Sequence, residues 1–275
     1  MSDPAGFETG RLRLPDGAAM CFAHRASPSG AAPRLVLLHS LAQDHGFWTR
    51  LAACLRPEEA ALLAPDLRGH GGSEGGEGDF SAERMADDVA ALMDARGWPD
   101  AAIVGCSMGG CVAIAFAARH PARCRGLGLV DTTAWYGEDA ERAWADRAAK
   151  AQAEGMASLA AFQVSRWFGD EFRESHPDVV RERLEVFLAT RPEDFVRACR
   201  MLGSTDLRAA LPSLRVPAVV VVGEQDYATP LAMSRLLAEA IPGASLRILP
   251  GARHLTPVER PQDIAAAVRE LLARR

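Results

Sequence analysis

Three residue types in this chain have the chemistry for acyl transfer: a serine in a glycine-bounded turn, a histidine late in the chain, and aspartates at strand ends. Ser107 stands in VGCSMGG (104–110), a Gly-x-Ser-x-Gly pentapeptide. Alone the pattern is weak, because a chain with 24 glycines produces it by chance. Its setting gives it weight. An apolar run over 101–105 precedes the serine and a helical pattern follows, the context in which a sharp turn lifts a hydroxyl off a sheet edge. Gly105 and Gly109 would relieve clashes in that turn. A helix starting near Met108 would aim unpaired N–H groups and its positive dipole end at a developing oxyanion.

A serine hydroxyl needs a base, and the base needs an orienting carboxylate. Of seven histidines, only His254 in LPGARHLTPVERP (249–261) lies downstream of every predicted strand. His24, His120 and His176 read as structural or solvated. Asp226 in VVVVGEQDYATP (219–230) follows the penultimate strand, and Asp131 at the end of the strand before it competes for the same role. The chain order Ser, Asp, His with the acid after the penultimate strand favours Asp226. A second oxyanion donor is expected from LLHSLAQDHGFW (37–48), by position the Leu41 N–H, paired with the Met108 N–H. His39 and Ser40 would shape the pocket floor, although a buried, satisfied imidazole explains His39 equally well. APDLRGHGGS (64–73) reads as a glycine-shaped turn with Arg68 as a local clamp.

These residues must be positioned by a sheet. Apolar runs recur at 35–40, 61–66, 101–106, 126–131, 218–224 and 246–251, continuous rather than alternating, as strands covered on both faces require. Helical patterns at 83–97, 108–121 and 261–275 lie between or after them. Residues 10–26 read as an antiparallel hairpin around Pro15-Asp16-Gly17. The expected architecture is an α/β fold with an eight-stranded, mostly parallel sheet flanked by helices. Its core is assigned to 1–136 and 209–275. Between 137 and 208 the alternation stops, and a helical insertion is expected to form a lid, ending in a helix within 191–207.

Composition narrows the function. A formal charge of −5 with interspersed signs offers no basic stripe for nucleic acid. No apolar run reaches membrane-spanning length, and MSDPAGFETG lacks an export signal, so no membrane association and a cytoplasmic location are expected. Cysteines 21, 54, 106, 111, 124 and 199 form no paired or histidine-clustered pattern, so neither disulfides nor zinc is expected. With no dinucleotide fingerprint either, no cofactor or metal is expected.

The chain resembles the α/β-hydrolase family over essentially its whole length, and within it the 3-oxoadipate enol-lactonases. HSLAQDHGFW (39–48), GCSMGG (105–110), AEGMASLAAFQVSRWFGDEFRE (153–174) and HLTPVERPQDI (254–264) carry the resemblance. It departs from those enzymes at His39, where they often have Asn, at Cys106, and over DTTAWYGEDAERAW (131–144). The resemblance implies a serine hydrolase that opens a small lactone bearing a carboxylate through an acyl-enzyme on Ser107. Arg142, Arg147 and Arg166 become candidates for the carboxylate, and Trp135 and Trp167 for the cavity wall. Other lactonases, carboxylesterases and C–C bond hydrolases share the same chemistry. A ligand-binding module without catalysis is the alternative from another class.

Overall fold

A computed structural model of the chain describes residues 6–28 and 30–274. The reading of the first ten residues as lacking an export signal therefore falls partly outside the described residues, as do the outer limits of the core at 1 and 275. Eight strands form one sheet: β1 (Glu8–Arg13), β2 (Ala19–Arg25), β3 (Arg34–Leu38), β4 (Ala61–Pro65), β5 (Ala101–Cys106), β6 (Cys124–Val130), β7 (Ala218–Gly223) and β8 (Ser245–Leu249). Their spatial order is β1-β2-β4-β3-β5-β6-β7-β8. The β1–β2 hairpin pairs antiparallel, as does β2 with β4, and every other pairing is parallel.

Every residue of β5 and β7 is buried, which explains their unbroken apolar runs. The edge strand β1 alternates between exposed and half-buried positions. Eleven α-helices are present among the described residues: α1 (Thr49–Cys54), α2 (Ala82–Ala95), α3 (Met108–Arg119), α4 (Ala140–Glu154), α5 (Ala160–Trp167), α6 (Asp170–Ser175), α7 (Pro177–Leu188), α8 (Pro192–Ser204), α9 (Leu231–Ala240), α10 (Thr256–Glu259) and α11 (Pro261–Ala273). Helices α2 and α3 pack together, α1 packs on α11, and these pairs cover the sheet. The turn 64–73 is clamped by Arg68, whose guanidinium makes two hydrogen bonds of 2.8 and 2.7 Å to Asp88.

Two features of the topology position the site. Strand order reverses between β3 and β5, and crevices in open α/β sheets form beyond the strands' carboxyl ends at such a reversal. Leu41 follows β3 and Ser107 follows β5, so both stand at that point. Helices α4 to α8 all lie in the connection from β6 to β7. The root of this insertion is closed by a bridge between Trp135 and Asp206 and by the Leu207 N–H donating to the Ala134 carbonyl at 2.8 Å.

Candidate active site

The turn at Ser107 is forced by what surrounds it. Ser107 has φ 53° and ψ −117°, a left-handed conformation that L residues other than glycine rarely hold. Its N–H donates to the Val130 carbonyl at 3.0 Å, and the Thr132 hydroxyl donates to its carbonyl at 2.6 Å. A Cβ on Gly105 would stand 2.1 Å from the Gly109 carbonyl oxygen, and one on Gly109 would stand 2.1 Å from that of Leu38. Both approaches involve backbone that cannot yield, so glycine is required at each position. Burial raises the Cys106 thiol's pKa well above its usual value, and the charges of Asp131 and Asp226 add to this, so it stays protonated and inert.

The hydroxyl of Ser107 lies 2.9 Å from His254 Nε2, and His254 Nδ1 lies 2.8 Å from Asp226 Oδ2. All three residues are buried. Asp226 also accepts the Ala228 and Thr229 N–H groups and the Thr229 hydroxyl. Burial alone would raise its pKa, but the charge of His254 and these hydrogen bonds outweigh that and hold it below the usual carboxylate value. It therefore stays charged beside the imidazole. Asp131 is occupied elsewhere: its carboxylate accepts the Gly223 N–H, the Thr256 N–H and the Thr256 hydroxyl, tying the ends of β6 and β7 to α10. Among the described residues no acceptor takes the Met108 or Leu41 N–H.

A cavity of about 50 Å³ opens on Ser107 and His254. Ser40, Leu41 and Trp167 line it, as do Arg147 and Arg166. Three other residues proposed from sequence do not. His39 is fully buried beneath it, with Nε2 accepting the Leu67 N–H at 2.9 Å, so Nδ1 carries the proton and donates to the Ser40 carbonyl at 2.8 Å. It shapes the loop that holds Leu41 and does not reach the cavity. Trp135 stands at the root of the insertion under the Arg208 guanidinium, 3.7 Å from its ring centroid. Arg142 is exposed and pairs with Asp139, five residues before Arg147 and so about 140° away around α4. Only the face of α4 carrying Trp144 and Arg147 turns inward.

Tyr136, Trp144 and Gln163 also line the cavity and were not picked out from sequence. The i, i+3 pair Trp144 and Arg147 and the i, i+4 pair Gln163 and Trp167 were the available signals, but such spacing equally describes ordinary packing. The loop carrying His254 is tied to α5 by two backbone hydrogen bonds. The His254 N–H donates to the Arg166 carbonyl at 3.4 Å and the Leu255 N–H to that of Trp167 at 3.0 Å. The Glu259 carboxylate accepts both the Arg253 and Gly169 N–H groups. Larger hollows exist on the protein, but Ser107, Asp226 and His254 line none of them. No group of three or more His, Cys, Asp or Glu among the described residues could hold a metal ion, and no helix there is long and apolar enough to cross a membrane.

A family model described as alpha/beta hydrolase fold matches residues 33–261. The chain is 30% identical over 242 residues to 3-oxoadipate enol-lactonase 2 of Acinetobacter baylyi, covering 88% of this chain and 89% of that one. It is 32% identical over 253 residues to the pimeloyl-[acyl-carrier protein] methyl ester esterase of Chromobacterium violaceum, covering 88% and 95%. Among solved structures, the enol-lactonase from Burkholderia xenovorans superposes with a TM-score of 0.90 at 34% identity, covering 96% of this chain and all of that one.

Proposed function

Because the chain belongs to the α/β-hydrolase fold family, we propose that it is a serine hydrolase that opens a small anionic lactone, 3-oxoadipate enol-lactone in the first instance. The observation that carries the reading is the unbroken hydrogen-bonded line from the Ser107 hydroxyl through His254 to Asp226. Ser107 Oγ attacks the lactone carbonyl as His254 Nε2 takes its proton, and Asp226 stabilises the imidazolium. The Leu41 and Met108 N–H groups receive the oxyanion. Collapse breaks the C–O bond and expels an enolate, which takes the imidazolium's proton and becomes a ketone, leaving His254 neutral. Water, deprotonated by the same imidazole, then frees the acyl group as a carboxylate and returns the proton to Ser107.

The anionic substrate is supported by Arg147 and Arg166. Both residues line the cavity, their guanidiniums stack on the Phe162 ring, and the Arg166 guanidinium donates to the Tyr227 carbonyl rather than to a carboxylate. Burial lowers the pKa of each, the mark of a desolvated cation that a substrate carboxylate would relieve. The relatives named enol-lactonase support the lactone itself. A cavity of about 50 Å³ is smaller than such a substrate, so helices α4 and α5 act as a lid that shifts to admit it. The esterase relative keeps a carboxylester substrate as the second reading.

The test is hydrolysis of the enol-lactone by purified protein, with Ser107→Ala as control and a fluorophosphonate probe as a second readout. Turnover of the lactone and labelling of the wild type only are expected. Esters cleaved without the lactone would move the substrate to the second reading. A wild type that neither turns over an ester nor takes the probe would end the serine-hydrolase reading.

A further inference from the structure

The residue that the proposed reaction leaves unused is Tyr136, in the loop that runs from β6 into the insertion. Its ring packs edge-on against Trp144, with centroids 5.3 Å apart, and the residue lines the cavity of Ser107. That oxygen is buried and finds no hydrogen-bond partner among the described residues. The Cys111 thiol and the Ser107 hydroxyl stand close enough to act on it electrostatically, as does the Arg147 guanidinium, but none meets the distance and angle of a hydrogen bond with it. The thiol donates to the Thr133 carbonyl at 3.3 Å, and the Ser107 hydroxyl is engaged with His254. A buried hydroxyl without a partner is destabilising, and phenylalanine would fill the same space without that cost. The O–H therefore serves something that enters the cavity.

Topology says which part of that molecule it meets. Strand β5, which ends at the Ser107 turn, lies between β3 and β6. Leu41, a proposed oxyanion donor, arrives from the β3 side, and Tyr136 arrives from the β6 side. The loop carrying the phenol thus comes to Ser107 from the side opposite Leu41, and Arg147 is among the phenol's neighbours. Burial, reinforced by Cys111, holds its pKa well above the usual phenol value, so it is a donor throughout the neutral range.

Building on the reading of Ser107 as nucleophile and Arg147 as carboxylate anchor, we propose that Tyr136 is a specificity-determining residue. Its O–H donates a hydrogen bond to a substrate oxygen that lies between the carbonyl carbon attacked by Ser107 and the carboxylate held by Arg147. The preferred acyl donors are then short carboxylate-bearing esters or lactones with an internal ketone, enol or ether oxygen. Chains of the same length made of methylenes leave the phenol unsatisfied and are disfavoured.

The mono-4-nitrophenyl esters of diglycolic and glutaric acid form a matched pair: equal length, the same terminal carboxylate, and an ether oxygen in one where the other has a methylene. The quantity read is the ratio of their kcat/KM values in the wild type and in Tyr136→Phe, each normalised to its own melting temperature as a check on folding. Tyr136→Phe should melt at or above the wild type, and the ratio should fall by roughly tenfold in favour of the glutarate ester. An unchanged ratio in a folded, active variant, whether both rates fall together or neither moves, overturns the assignment and leaves the serine-hydrolase reading standing. A wild type that cleaves neither ester and is not labelled by a fluorophosphonate overturns both.

Discussion

Replacing Asp226 by Asn tests the proposed mechanism most sharply, because the hydrogen bonds dictate how the amide must sit. Oδ1 accepts the Ala228 and Thr229 N–H groups at 2.7 and 2.9 Å, and Oδ2 accepts the Thr229 hydroxyl at 2.7 Å and faces His254 Nδ1 at 2.8 Å. An amide has one accepting and one donating end. With its NH₂ toward the two backbone N–H groups, both would lose their acceptor in a buried site, at roughly 1–3 kcal/mol each. With its NH₂ toward His254, the backbone bonds survive and the Thr229 hydroxyl rotates to accept. The second orientation wins. His254 Nδ1 must then accept, its proton moves to Nε2, and no lone pair remains to take the Ser107 proton. Loss of that base and of the charge behind it costs on the order of 10⁴-fold in kcat, or about 5.5 kcal/mol of transition-state stabilisation. The fold should lose little, on the order of 1 kcal/mol. Steady-state hydrolysis of a 4-nitrophenyl ester together with calorimetric melting reads both quantities. A folded Asp226→Asn enzyme within tenfold of wild-type kcat would refute the assignment of Asp226 and the tautomer argument together.

The competing carboxylate should behave in the opposite way. Asp131→Asn leaves one of three buried donors facing an NH₂ group, so it should destabilise the protein by roughly 1–3 kcal/mol while kcat falls less than tenfold; a stable but inactive Asp131→Asn protein would exchange the two roles. Stability should also fall in mild acid. Burial, with a smaller contribution from His39 nearby, pushes the His70 pKa from 6.5 down to about 3, so below pH 6.5 the unfolded chain binds a proton that the folded one refuses. The folded state gives up about 2 kcal/mol at pH 5 relative to pH 8 from this residue alone, on the basis of about 1.4 kcal/mol per pH unit. Urea titrations at the two pH values should show that loss in the wild type and a smaller one in His70→Gln, and equal losses in both would remove His70 as the cause.

Much of the fold is legible in the sequence because burial on both faces writes itself as unbroken apolar runs. The runs at 101–106 and 218–224 overlie β5 and β7 almost residue for residue, and the Pro15-Asp16-Gly17 turn marks the hairpin of β1 and β2. Short elements with weaker periodicity, such as α10 and α1, carry no such signature and emerge only from packing. In the site, Ser107 is marked by local backbone sterics: Gly105 and Gly109 are demanded by contacts within one turn and the neighbouring strand end, and a turn of that kind is written in consecutive residues. His254 and Asp226 follow from strand order.

The insertion is another matter. Arg142, Trp135 and His39 have the right side chains for a pocket, yet the rotation of α4, the bridge at Trp135 and the bond from Leu67 turn each away from it. Tyr136, Trp144 and Gln163 face inward for equally non-local reasons. A helix lying over a crevice exposes its charged and aromatic residues to either side without changing their spacing, so the residue types alone do not say which side is solvent and which is substrate. The placing of Ser107, Asp226 and His254 at strand ends in this chain is therefore legible in the sequence, because strand ends and tight turns are local. The lining of its cavity was decided by tertiary structure, because the facing of a helix depends on what it packs against.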